Sequence, residues 1–87
     1  MSGLRTVIAD LYRQVGAPAW AAPNLDGLAD VLRDLSWLPP GAVTLTVADP
    51  ARLSDRDREA LRRVLRRAED ESRGTPRPVR ADVGDPE

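Results

Sequence analysis

The sequence predicts a small α/β domain in which about three helices pack against a small parallel β-sheet. Apolar residues recur at helical spacing in three separate segments. Two shorter segments alternate apolar and polar residues, which is typical of half-buried strands. The order helix–helix–strand–helix–strand puts a helix between the two strands, so we expect the strands to run parallel. A length of 87 residues fits one domain, expected over residues 1–83, followed by a disordered tail at 84–87.

The first helix is predicted over Ser2 to Val15. Its apolar stripe consists of Val7, Ile8, Leu11 and Val15. Gly16 stops this helix, and Pro18 follows as expected after a helix C-terminus. The next residues, up to Pro23, form an irregular link that carries Trp20.

The second helix is predicted to run from Asn24 to Leu35. The Asn24 side chain can accept hydrogen bonds from the free backbone N–H groups of the first turn. One apolar stripe faces the core, and it consists of Leu25, Leu28, Leu32 and Leu35. Pro39 and Pro40 end the segment.

The third helix is predicted to begin after Ser54, which forms a capping box with Asp57. Its buried stripe is expected at Leu61, Val64, Leu65 and Ala68. The helix should fray near Ser72, because Gly74 and a proline follow.

The two strands are predicted on either side of that third helix. In Ala42 to Ala48, three apolar residues alternate with threonine, and Asp49-Pro50 closes the segment as a turn. In Val79 to Val83, apolar residues alternate with charged ones. The preceding prolines would hold this second strand at a sheet edge.

Composition argues against catalysis and against several classes of ligand. The chain has no histidine and no cysteine, which removes the usual general base and the usual metal ligands. We therefore expect no enzyme activity, no cofactor and no metal site. A net charge of −1 argues against general nucleic-acid binding. With no apolar run long enough for a bilayer and no signal-peptide pattern, a cytoplasmic protein without a membrane partner is expected.

An acidic row on the second helix is the main functional signal. Asp26, Asp30 and Asp34 are spaced i, i+4, i+8, so they lie along one side of the helix, opposite the leucines. Like charges at this spacing destabilise a helix, although Asp26 lies in the first turn, where the helix dipole favours an anion. The row is either an ordinary solvated face or a set of carboxylates that enters a cationic site on a partner.

The segment Trp20-Ala-Ala-Pro-Asn-Leu-Asp-Gly-Leu-Ala-Asp30 resembles the signature of barstar-type ribonuclease inhibitors. In that family an aromatic-bearing loop leads into Asn-Leu/Trp-Asp-Ala-Leu, followed two positions later by an acidic residue. Here Asn24-Leu25-Asp26-Gly27-Leu28 and Asp30 match the motif. The resemblance extends over about Leu4 to Ala68.

The resemblance implies a barstar-like fold and tight, 1:1 inhibition of a secreted microbial ribonuclease, which protects the producing cell. It implies that Asp30 is the central phosphate-mimicking acid and Asp26 a flanking acid. It also implies that Asn24 makes a contact at the helix start and that Trp20 covers the mouth of the active site. The residues expected to bind the partner are Trp20, Asn24, Asp26, Ala29, Asp30, Arg33, Asp34 and Trp37.

The chain departs from the family pattern at several positions. Relatives often have glycine where this chain has Ala22, and Ala29 replaces an aromatic residue. An acidic contact of the third helix aligns with Arg67, so either Glu69 or Asp70 substitutes for it or the contact is lost. The family's first strand has almost no room before Leu4, so the sheet is expected to be one strand short.

Other interpretations stay open at this point. Trp20 is either a lid on the core or an interface anchor, and Trp37 either packs in the core or lies at the interface rim. The arginines of the third helix either bind RNA or form a salt-bridged solvent face. Besides a ribonuclease inhibitor, the chain could be an acidic interaction module, an antitoxin or adaptor for a basic partner that is not a nuclease.

Overall fold

The computed structural model describes residues 3–83 and confirms the predicted α/β class. The element order is α1 (Gly3–Val15), α2 (Leu25–Asp34), β1 (Val43–Val47), a 3-10 turn (Pro50–Arg52), α3 (Asp55–Ser72) and β2 (Val79–Val83). Ser2 and the predicted tail at 84–87 lie outside the described residues. Within the described chain, none of the helices is both long and apolar enough to cross a membrane.

The sheet consists of β1 and β2, which pair in parallel with Val43 opposite Val79 and Val47 opposite Val83. Two parallel strands need a crossover connection, and α3 provides it. This helix packs against both β2 and α2, while α1 packs against β1. The described chain therefore has the reduced, two-stranded sheet that the sequence predicts.

Both outer edges of this sheet are covered by side chains from the helices. On β1, the Gln14 amide accepts a hydrogen bond from the Thr46 N–H (2.9 Å) and donates one to the Thr46 carbonyl (2.8 Å). On β2, Ser72 Oγ accepts from the Val79 N–H (2.8 Å), and Glu69 Oε2 accepts from the Ala81 N–H (2.9 Å). These contacts satisfy backbone groups that would otherwise be open to strand pairing with another chain.

The core lies where the helices meet the sheet. Its fully buried side chains include Ile8, Leu11, Leu28, Val31, Leu35, Leu45, Leu61 and Leu65. The predicted stripe of α2 is confirmed at three of its four leucines, but Leu25 is only half-buried. Leu25 lies in the first turn of the helix, beside an open groove against α1. Val31, which the leucine pattern does not include, is completely buried.

The ends of α2 determine how its acidic face is presented. Asn24 is the N-cap, and its Oδ1 accepts from the Gly27 N–H at 2.7 Å, as the sequence predicts. At the other end Leu35 adopts a left-handed conformation (φ 46°) that costs a non-glycine residue about 1–2 kcal/mol. The Leu35 side chain is only 2% exposed, so its burial in the core holds this backbone turn in place.

Candidate protein-binding surface

The acidic row lies on the solvent side of α2. Asp26, Asp30 and Asp34 are all exposed, whereas Leu28 and Leu32 on the opposite side are buried. The phase of the helix follows from its amphipathic pattern, because the apolar stripe must face α3 and the core. The three carboxylates are therefore displayed together on one accessible face.

Few cations neutralise this row within the described chain. Arg33 lies 3.3 Å from Asp30, as its position one turn away allows. Its guanidinium also lies 3.7 Å from Glu71 on α3, so one arginine is shared between two carboxylates. Within residues 3–83, Asp26 and Asp34 have no ion pair. Asp30 itself keeps 65% of its side-chain surface exposed.

Glu71 is an acidic neighbour of the row that the sequence pattern does not reveal. It faces α2 and pairs with Arg67 at 3.1 Å as well as with Arg33. The two candidates from the sequence have other partners. Glu69 accepts a hydrogen bond from the Ala81 N–H of β2, and Asp70 pairs with Arg73 at 2.8 Å. The α3 carboxylate nearest to the row is therefore Glu71. Only the packing of α3 against α2 brings it there, so no local sequence signal could have found it.

The two tryptophans differ in their surroundings. Trp20 is 60% exposed, so it is not a lid on the core. Trp37 is half-buried against the core, and its indole N–H donates to the Val15 carbonyl at 2.8 Å. The predicted packing role of Trp37 is thus present in the structure, and any contact with a partner would use its remaining exposed part.

A groove of about 200 Å³ runs between α2 and α3, beside the acidic row. Ala29 lines this groove, at the position where the family resemblance implies an aromatic side chain. The residues that line the groove are Leu25, Asp26, Ala29, Arg33, Val64, Arg67, Ala68 and Glu71. An apolar floor with a charged rim is suited to contact with a side chain of another protein.

The exposed face of α3 carries paired charges. Its ion pairs include Arg58–Asp55, Arg63–Glu59 and Arg67–Glu71, and Arg73 at the C-cap pairs with Asp70. This arrangement confirms the predicted salt-bridged face. Acidic side chains thus lie within ion-pair distance of several arginines of this helix.

Tyr12 on α1 connects the loop before α2 with the acidic row. Its hydroxyl donates a hydrogen bond to the Ala22 carbonyl. Burial raises the pKa of the Tyr12 hydroxyl above its ordinary value, and the negative charge of Asp30 raises this pKa further. The hydroxyl is therefore a neutral donor at physiological pH.

Between residues 3 and 83, no group of three or more acidic, histidine or cysteine side chains could hold a metal ion. Every buried side-chain nitrogen and oxygen in the same range has a hydrogen-bond partner. What this surface presents is a row of carboxylates, an exposed indole and a groove.

Comparison with known proteins identifies the family. No curated protein and no solved structure matches the chain significantly. The family model of barstar, described as the barnase inhibitor, matches residues 1–84 of the 87. This match covers nearly the whole chain, including the segment that carries Trp20 and all of α2. The chain therefore belongs to the barstar family.

Proposed function

We propose that this protein is an inhibitor of a secreted microbial ribonuclease and binds it tightly in a 1:1 complex. In this proposal α2 enters the active site and occludes the groove that holds the RNA phosphate. The inhibitor carries out no reaction itself. It acts in the cytoplasm, where it protects the producing cell from its own enzyme before secretion.

The observation that carries the proposal is the acidic row on α2. Asp26 and Asp34 have no ion pair among residues 3–83, and Asp30 shares its only cation with Glu71. Unpaired carboxylates on a small protein are available to a cationic partner, and they attract it over a long range at low salt. A membership in the barnase-inhibitor family supports a ribonuclease as that partner.

The chemistry of phosphate recognition explains why carboxylates suit this task. A ribonuclease grips the RNA phosphate with cationic side chains that donate charge-assisted hydrogen bonds. A carboxylate has the same charge sign and the same demand for donors. Asp30, in the middle of the row, would take the place of the phosphate, with Asp26 and Asp34 on either side.

The surrounding residues would complete the interface. Trp20 offers a large exposed apolar surface of the kind that anchors protein interfaces. Asn24 lies exposed at the start of the helix, and Ala29 leaves the groove open to a side chain of the enzyme. Glu71 would supply a second acid from α3, beside Arg33, which lies 3.7 Å from it.

The test is a titration of ribonuclease activity with the parent protein and with Asp30→Ala. Barnase is one target, and the ribonuclease fraction of the producer's culture fluid is the other. The parent should abolish activity at a stoichiometric amount. Truncating one partner of a charge pair that is buried and hydrogen-bonded in a complex costs about 2–5 kcal/mol. Asp30→Ala should therefore lose a comparable amount of affinity, mostly through faster dissociation.

Asp49→Ala is the matched control. Asp49 is 60% exposed and faces Arg52 three residues away, as Asp30 faces Arg33, but it lies outside α2. Its affinity should equal that of the parent. Thermal melts should show all three proteins equally folded, because Asp30→Ala loses one exposed ion pair and also relieves the i, i+4 repulsion.

Two results would contradict this proposal. Equal inhibition by the parent and by folded Asp30→Ala would exclude Asp30 as the phosphate mimic. If the parent inhibited neither ribonuclease, the acidic row would instead serve a basic partner that is not a nuclease, as in an antitoxin or adaptor.

A further inference from the structure

The loop that carries Trp20 (residues 17–23, here called the Trp20 loop) forms hydrogen bonds beside the start of α2 through one backbone carbonyl, that of Ala22. The Ala22 carbonyl accepts a hydrogen bond from the Tyr12 hydroxyl. It also accepts one from the Asn24 N–H, at 2.8 Å. A side chain of α1 and the capping residue of α2 thus meet at the same loop oxygen.

Gly27 allows this carbonyl to lie directly on the first turn of α2. A Cβ atom at position 27 would collide with the Ala22 carbonyl oxygen and would lie 3.0 Å from the Tyr12 hydroxyl oxygen. The Gly27 N–H in turn donates to Asn24 Oδ1 at 2.7 Å. Close approach of two backbone segments is a recognised reason for glycine.

We infer that Tyr12 is a positioning residue for the binding surface, because its hydroxyl holds the Trp20 loop against α2 through Ala22 and Gly27. The inference rests on the proposed inhibitory function. Tyr12 lies behind the surface and need not touch the ribonuclease. Its role is to order the loop before the partner arrives, so that Trp20 and Asn24 are already in place beside the acidic row.

The electrostatics of Tyr12 agree with this geometry. Besides burial, the charge of Asp30 raises the pKa of the Tyr12 hydroxyl. This effect agrees with a position of Tyr12 close to both the central acid and the loop. Binding is weakened when a flexible segment must be ordered in the complex, and a segment that is ordered beforehand avoids that cost. The Tyr12 hydrogen bond therefore contributes to affinity without being part of the interface.

The first experiment measures loop order in the free protein, with no ribonuclease present. Tyr12→Phe removes the hydroxyl and keeps the ring. Amide hydrogen exchange at Asn24 and Gly27, whose N–H groups belong to this network, should become about tenfold faster, because a lost hydrogen bond makes local opening easier. Amides in the middle of α3 should exchange as in the parent. Thr6→Val removes a hydroxyl from an exposed position of the same helix and serves as the matched control.

The second experiment measures the Kd of each variant for barnase, or for the culture-fluid ribonuclease if that is the enzyme the parent inhibits. Tyr12→Phe should raise the Kd about tenfold, and Thr6→Val should leave it unchanged. Gly27→Ala should also raise the Kd, because the new methyl group displaces the Ala22 carbonyl. In an ordinary helix this substitution would be stabilising, so a Gly27→Ala protein that is more stable and binds equally well would overturn the inference.

A spectroscopic titration checks the placement of Tyr12 itself. Tyr12 is the only tyrosine in the chain, so tyrosinate absorbance reports this residue alone. Because the pKa of Tyr12 is raised in the folded protein, folding favours the neutral hydroxyl. The stability that this preference contributes is complete below the ordinary tyrosine pKa of about 10. It is lost as the pH rises through the higher pKa of the folded protein. Asp30→Ala should move the titration midpoint towards lower pH. An unchanged midpoint would contradict the proximity of Tyr12 and Asp30.

The outcomes separate this inference from the proposed function. If the parent inhibits neither ribonuclease, the proposed function fails, the binding role of Tyr12 fails with it, and the exchange data still decide whether Tyr12 orders the loop. If the parent inhibits and Tyr12→Phe matches it in both exchange and Kd, the inference alone is overturned. Faster exchange with an unchanged Kd would also overturn it, because the order of the loop would then be irrelevant to binding.

Discussion

The exposed faces of α2 and α3 are both rich in charge, yet they differ in how that charge is compensated. On α3, the six arginines are balanced by six acids, and four ion pairs lie along the helix and at its end. On α2 there are three aspartates and one arginine. This arginine, Arg33, lies near both Asp30 and Glu71. The two helices bury similar apolar stripes, so the difference is confined to their solvent sides.

This difference indicates which surface is available to a partner. A paired face satisfies its own charges and gains little from binding, since exposed ion pairs contribute only about 0–1 kcal/mol. An unpaired acidic face carries repulsion within the free protein, and a cationic partner relieves that repulsion. Charge content alone therefore says little about binding, whereas uncompensated charge of one sign favours an oppositely charged partner.

The largest effect in this comparison is expected on the buried side of α2. Leu32 is 5% exposed and packs in the core. Leu32→Ala should destabilise the fold by about 2–5 kcal/mol, as leucine truncations in cores do. Urea denaturation of this variant beside Asp49→Ala gives the measurement. If Leu32→Ala unfolded like the parent, α2 would not be held by its apolar stripe, and the orientation of the acidic row would be wrong.

A smaller effect is expected at the far end of the row. Asp34→Ala should slow association with the ribonuclease by on the order of a few-fold at low salt, because it reduces the field that steers a cationic partner. Dissociation should change little. Stopped-flow association rates at two salt concentrations provide the test. A salt-independent loss, or a loss confined to the dissociation rate, would mean that Asp34 makes a buried contact instead.

The smallest effect is expected on the paired face. Glu59 and Arg63 of α3 lie 3.9 Å apart and are mostly exposed. Glu59→Gln should cost less than about 0.5 kcal/mol of stability, the usual size of an exposed i, i+4 pair. Its affinity for the ribonuclease should equal that of the parent. A clear loss of inhibition by Glu59→Gln would mean that the ion-paired face around Glu59 and Arg63 also contacts the enzyme, and it would remove the contrast between the two faces.

The comparison also shows how far the sequence could go in predicting the site. The phase of α2 follows from its leucines, and the same leucines place Asp26, Asp30 and Asp34 on the opposite side. The position of Glu71 could not be predicted in this way. Glu71 belongs to another helix, and its proximity to the acidic row depends on how α2 and α3 pack. The candidates Glu69 and Asp70 are neighbours of Glu71 in sequence, but successive helical residues point about 100° apart.

The elements, their caps and the side of each helix that faces solvent follow from local patterns in the amino-acid sequence. These features depend on contacts within a few residues, such as the Asn24 and Ser54 caps, and the structure places them as predicted. The parallel pairing of β1 and β2 was also predictable, because the intervening helix leaves a chain of this length few other topologies.

The meeting of groups that are distant in sequence depends on how the helices and strands pack. Tyr12 reaches the Ala22 carbonyl over Gly27, and Gln14 covers the open edge of β1. Leu35 adopts its left-handed turn because the core takes up its side chain. Such contacts join residues that are far apart in sequence or depend on side-chain burial, and they exist only once helices and strands have packed. The periodicity of apolar residues gives no information about these contacts, because it describes one helix or strand and not how that element packs against another.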